Sequence, residues 1–202
     1  MTALATVKLL AFLAAFGEAV STYLFTIEAL KFVAMVTMLT LAVATDLSER
    51  RIPNRLTVSG AVAALVISAI EVGGLPGASL LGLLTALAVT IPLFALGALG
   101  AGDAKLLAAV GAFMGVGGLL PVVLYSGIAG GVIAVVAATR RGVIVPVLIQ
   151  TRGVLINAIS FGRYGSRTTI EDPEAHTIPY GVAIAVGSIV AFFFPLTLGV
   201  TP

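Results

Sequence analysis

Two of the nine acidic residues in the chain, Asp46 and Asp103, stand where carboxyl chemistry can be done. Asp46 closes a long apolar stretch, and Asp103 follows the small-residue run Gly97-Ala-Leu-Gly-Ala-Gly102. Ionisable groups at membrane depth are expensive and usually mark function. Two carboxylates in one site share a proton, because like charges at close range resist ionising together. The ionised member then takes a proton from water, the water attacks a carbonyl carbon, and the protonated member donates to the carbonyl oxygen. Other chemistries have little material. There is no cysteine for a thiol nucleophile, and one histidine, His176, for a triad or a metal cluster. No metal and no cofactor are expected.

Each aspartate also has a simpler reading. Asp103 can be a helix N-cap, since a loop precedes it and an apolar helix follows. Asp46 can be a polar residue at the membrane surface. Two observations favour a site. From Asp103 to Gly117 is 15 residues, about 22 Å of helix against a hydrocarbon core of about 30 Å, so Asp103 is expected below the surface in a wet recess. Asp46 lies near a helix C-terminus, where the dipole disfavours negative charge. Asp103, at a helix N-terminus and near Lys105, is expected to act as base, and Asp46 to hold the proton; the pair titrates as a unit.

The elements that must position these acids are transmembrane helices. The chain is 59% hydrophobic and 10% charged, with a mean hydropathy of +1.17. A soluble domain carries about 25% charged residues, so the solvent for this surface is lipid. Apolar segments are expected at about 3–25, 29–47, 56–72, 78–99, 104–118, 121–138 and 177–198. They are read as helices because lipid requires every backbone polar group to be satisfied within the protein. The expected architecture is an all-α polytopic membrane protein: one domain over 1–202, a bundle of 6–7 transmembrane helices. An extra N-terminal helix is expected at about 1–28, itself broken by Gly17 and Glu18, with a cytoplasmic N-terminus. A cytoplasmic loop is expected at about 139–176. Within it, Pro146, Gln150, Gly153, Asn157 and Ser160 recur at spacings of three and four, opposite Ile144, Leu148, Leu155 and Ile159. That pattern suits an amphipathic helix on the membrane surface.

Basic residues set the orientation. With the second segment running outward to inward, Arg50, Arg51, Arg55, Lys105, Arg140, Arg141, Arg152, Arg163 and Arg167 all fall inside, and only Lys31 lies near an outer end. Both aspartates then face the cytoplasm. The small net charge of +2 gives no reason to expect nucleic acid as a partner.

Two stretches resemble the type IV prepilin peptidase family of GxGD membrane aspartic proteases. Asp46-Leu-Ser-Glu-Arg-Arg-Ile-Pro-Asn54 resembles its first catalytic motif, and Gly100-Ala-Gly-Asp-Ala-Lys-Leu-Leu107 its second. The Ile178-Pro-Tyr-Gly181 run resembles the opening of the family's final helix. The resemblance spans about 30–190 and is nearest to the small tight-adherence (Flp-type) branch; archaeal preflagellin peptidases are similar in size. It implies an inner-membrane aspartic endopeptidase, with Asp46 and Asp103 catalytic, that cleaves the basic leader from pilin-like precursors at the cytoplasmic face. Larger relatives carry paired CxxC motifs and N-methylate the new terminus, and a chain without cysteine is expected to lack that second activity.

Further residues are assigned on the same basis. Gly100 and Gly102 allow a peptide close approach, and Lys105, Pro179 and Tyr180 are candidate substrate contacts. Pro53 and Asn54 shape the turn behind Asp46. Lys105 is equally readable as a snorkelling side chain, and Tyr180 as an interfacial one. Two other functions compete: an ion or solute carrier using the aspartates as a relay, and a non-catalytic scaffold.

Overall fold

The computed structural model describes residues 2–97, 99–141 and 180–196. Five helices follow in order: α1 Thr2–Glu49, α2 Asn54–Val72, α3 Gly77–Ala95, α4 Ala101–Arg141 and α5 Tyr180–Phe193. No strand occurs among the described residues. Four of these helices are long and apolar enough to cross a membrane, and α5 is a shorter apolar helix.

The surface is patterned for lipid. On α2, Val58, Val62, Val66 and Ile70 point outward at helical spacing, while Thr57, Gly60, Ala64, Ile67 and Ser68 are buried. Small and polar residues inside, large apolar residues outside, is the pattern of a helix packed against its neighbours within lipid.

The connections have local causes. Arg50, at φ 52°, takes a left-handed conformation and stops α1. Pro53, extended at φ −64° and ψ 135°, then starts α2 in a new direction. Gly73, at φ 62°, ends α2 with amides bonded back to Ala69 and Ile70. That is the left-handed cap glycine supplies at least cost.

The long α4 is two limbs. Gly115 interrupts it at φ 66° and ψ −176°. Asp103 and Gly130 both lie beside Tyr180, the first within reach of its charge and the second under its ring. In a straight helix those two residues would stand about 40 Å apart, so the break at Gly115 reverses the chain. The first limb, 101–114, runs antiparallel to α3. Glycines let the backbones touch there: a Cβ at Gly82 would lie 2.1 Å from the Gly111 carbonyl oxygen, and one at Gly111 would lie 2.6 Å from that of Gly82. The Ser79 hydroxyl donates to the Ala112 carbonyl at 2.5 Å. The second limb packs against α5, where Gly187 rests on the Ser126 backbone. Phe32 on α1 holds the far end of α5 through Phe192 and Phe193, with ring centroids 4.5 and 5.5 Å away.

Two expectations are corrected by the helices. The N-terminal segment is not a separate helix folded back on the next. Gly17 and Glu18 lie inside α1, which runs unbroken from Thr2 to Glu49. A helix of 48 residues is about 72 Å long, so its N-terminal end points away from the aspartates. No proline or positive-φ residue interrupts it, which is why no turn forms. The break expected between the segments 104–118 and 121–138 falls earlier, at Gly115, and Gly117, Gly118 and Pro121 are helical. Among the described residues there are five helices, and the folded α4 supplies two limbs. The amphipathic helix expected within 139–176 falls at 143–161, outside the described residues.

Candidate active site

Asp46 lies in the last turn of α1, Asp103 in the first turn of α4, and Tyr180 and Gly181 in the first turn of α5. Three helix ends that are remote in sequence therefore meet. The Asp103 carboxyl lies within the field of the Asp46 carboxylate. Tyr180 is half-buried, and its hydroxyl lies in the field of Asp103.

Each carboxylate receives a backbone amide. The Gly181 N–H donates to Asp46 Oδ2 at 3.0 Å. The Gly100 amide bonds to Asp103. Asp103 is thus not the N-cap itself. The helix begins at Ala101, and Asp103, in its third position, reaches back across the first turn as the acidic member of a capping box does. Among the described residues no basic group lies within ion-pairing distance of either acid.

The glycines set how closely these parts fit. A Cβ at Gly100 would lie 2.7 Å from Asp103 Oδ2. A Cβ at Gly102 would lie 3.2 Å from Ile52 Cβ. Gly102 therefore seats the start of α4 on the turn that follows Asp46, where Ile52 is buried and Pro53 and Asn54 are exposed. Lys105 completes that seat: its ammonium donates to Asn54 Oδ1 at 2.8 Å. It ties α4 to the start of α2 and is not ion-paired with Asp103, which removes one of the two reasons for making Asp103 the base.

Of the residues expected from sequence, Asp46, Asp103, Gly100, Gly102 and Tyr180 surround one locus, with Pro53, Asn54 and Lys105 at its edge. Pro179 and His176 lie outside the described residues. Sequence reasoning missed Gly181 as a partner of Asp46, and Ile52 as a support. Nothing local signals the first, because the partners are 135 positions apart.

The fold and the locus define an all-helical membrane protein with two acids brought together at one end of its bundle. Residues 32–135 match the type IV leader peptidase family, and the chain belongs to that family of peptidases. The matched stretch contains both aspartates and the turn residues Pro53 and Asn54, and it ends before α5. No curated protein and no solved structure matches the chain. The family match gives no support to a carrier that relays ions through the aspartates.

Proposed function

We propose that the chain is an aspartic endopeptidase that removes the basic leader of pilin-like precursors at the cytoplasmic face of the inner membrane, with Asp46 and Asp103 as its catalytic pair. The observation that carries this reading is their meeting: Asp103, at the start of α4, lies in the field of Asp46, at the end of α1, and each accepts a hydrogen bond from a backbone amide. Carboxylates arranged this way hold one proton between them. The ionised carboxylate removes a proton from water, and the water oxygen bonds to the scissile carbonyl carbon. The other carboxyl gives its proton to the carbonyl oxygen. Collapse of the tetrahedral diol breaks the C–N bond: the departing amine takes a proton from the protonated carboxyl, and the ionised carboxylate takes one from a diol hydroxyl, so the pair again holds one proton. Because the Gly181 N–H occupies Asp46 Oδ2, that oxygen is an acceptor, and any proton on Asp46 is carried by Oδ1.

The charge asymmetry of the loops supports placing the pair in the cytoplasm, where a basic leader is retained. The absence of cysteine supports a peptidase without the methyltransferase activity of larger relatives, and the resemblance around the two motifs supports the small Flp-type branch. The test is cleavage of a pilin precursor by purified protein in detergent. Wild type is expected to release the leader, and Asp46→Ala and Asp103→Ala are not. Cleavage that persists in either variant removes the catalytic pair.

A further inference from the structure

Within that reading, we infer that Gly181 is a positioning residue for Asp46, and that the first turn of α5, seated by Tyr180 on Gly130, fixes the aspartate in its working orientation. Two carboxylates in one recess repel, and Asp46 sits on the last turn of a helix whose next residues unwind. Left alone, its side chain would rotate away from Asp103. What opposes this is a free donor. The first amides of a helix have no partner within it and carry its positive end. Gly181 is the second residue of α5, and its N–H meets Asp46 Oδ2 at 3.0 Å.

The position also demands the absence of a side chain. A Cβ at Gly181 would stand 2.7 Å from Asp46 Oδ2, 3.3 Å from Cγ and 3.4 Å from Cβ. The whole short side chain is in the way, so a small rotation of its tip does not make room. Gly181 is also buried, which leaves the turn nowhere to retreat.

A second glycine holds this turn from behind. A Cβ at Gly130 would stand 2.7 Å from Tyr180 Cε2 and 3.3 Å from Cδ2. The ring therefore lies directly on the second limb of α4, and a methyl there would push Tyr180, and Gly181 with it. The neighbouring Gly131 has nothing within 4 Å of where its Cβ would be. The pair Gly130-Gly131 thus offers the same chemical change at a coupled and an uncoupled position.

The experiment compares Gly181→Ala, Gly130→Ala and Gly131→Ala with wild type and Asp46→Asn. It reads kcat, KM and the pH profile of precursor cleavage, with thermal unfolding in detergent as the check on folding. Displacing a reacting group by about 1 Å costs on the order of 100-fold. Gly181→Ala is expected to lower kcat by about that factor, with KM changed by less than about threefold and the pH profile displaced, because the carboxylate has lost its fixed donor geometry. Gly130→Ala is expected to show the same signature at about a tenth of the size, and Gly131→Ala to behave as wild type. Wild-type kcat in Gly181→Ala overturns the inference, as does a fall in kcat with an unmoved pH profile. Should Gly181→Ala fail to fold, Gly130→Ala decides on the same two criteria. Asp46→Asn separates this inference from the reading beneath it. Activity in that variant sinks the catalytic pair itself, whereas an inactive Asp46→Asn beside a fully active Gly181→Ala sinks only the positioning role.

Discussion

The two ends of the bundle treat charge in opposite ways. At the end away from the aspartates, Glu28 and Lys31 of α1 and Glu71 of α2 border a cavity of about 280 Å³, together with the break at Gly115. Lys31 is ion-paired with Glu71 and lies 3.8 Å from Glu28. Its side chain and that of Glu71 are only 14% and 20% exposed, so their charges lean on each other more than on water. At the aspartate end Asp103 lies in the field of Asp46, and the amides of Gly181 and Gly100 donate to the two acids. A charge neutralised by a partner fastens helices together and has little left to give a substrate. A charge held by an amide keeps its orientation and its proton affinity available for chemistry.

Substitutions at the two ends should therefore fail in different ways. The largest effect is expected from Asp46→Asn or Asp103→Asn, each lowering kcat by about 10⁴-fold or more while the protein unfolds at nearly the wild-type temperature. Loss of stability with activity retained would reverse the comparison. Wild type should give a bell-shaped dependence of kcat/KM on pH, falling on the acid side as both carboxyls protonate and on the alkaline side as the shared proton leaves. A profile with one limb would show that only one of the acids acts.

Next in size is the opposite end. Lys31→Ala strands Glu71 in a partly buried place and is expected to cost about 3 kcal/mol of stability, read as earlier thermal unfolding, with kcat unchanged. The double variant Lys31→Met, Glu71→Leu should recover most of that loss, since apolar replacements remove both charges at once. Unchanged stability in Lys31→Ala would show that the pair is decoration. Between the ends, Gly82→Ala drives a methyl into the Gly111 carbonyl and is expected to destabilise by about 1–3 kcal/mol through overpacking. The smallest effect is expected from Lys105→Ala. It removes an exposed hydrogen bond to Asn54 worth about 1 kcal/mol or less, so cleavage should fall only a few-fold. A drop as large as that of Asp103→Asn would give Lys105 a direct part in the chemistry.

Much of the bundle was readable in advance, for identifiable reasons. The apolar stretches after Pro53 and Pro76 became α2 and α3, because each proline stands where an apolar run begins and favours the first turn of a helix. The two motif aspartates were readable because each sits beside local punctuation, the Arg-Ile-Pro-Asn turn and the glycine run. Glu18 and Gly17 misled, because a polar residue beside a glycine looks like a break, yet α1 continues through both. The apolar pattern places the break in α4 between residues 118 and 121, although the residue that takes the positive φ is Gly115. Several glycines in a row offer the same freedom, and only packing against Ala78 and Ser79 chooses which one turns.

The order of residues alone settled that the chain is helical, that it is built for lipid, and that Asp46 and Asp103 end or begin apolar helices. These follow from hydrophobicity, backbone hydrogen bonding and the conformational limits of proline and glycine, which act over a few neighbouring positions. Tertiary structure decided which helix ends meet. The bond from Gly181 to Asp46, the ring of Tyr180 on Gly130 and the transfer of Lys105 to Asn54 each join partners far apart in the chain. Such contacts depend on how whole helices pack, because a backbone amide or a missing Cβ leaves no mark in the sequence of its partner.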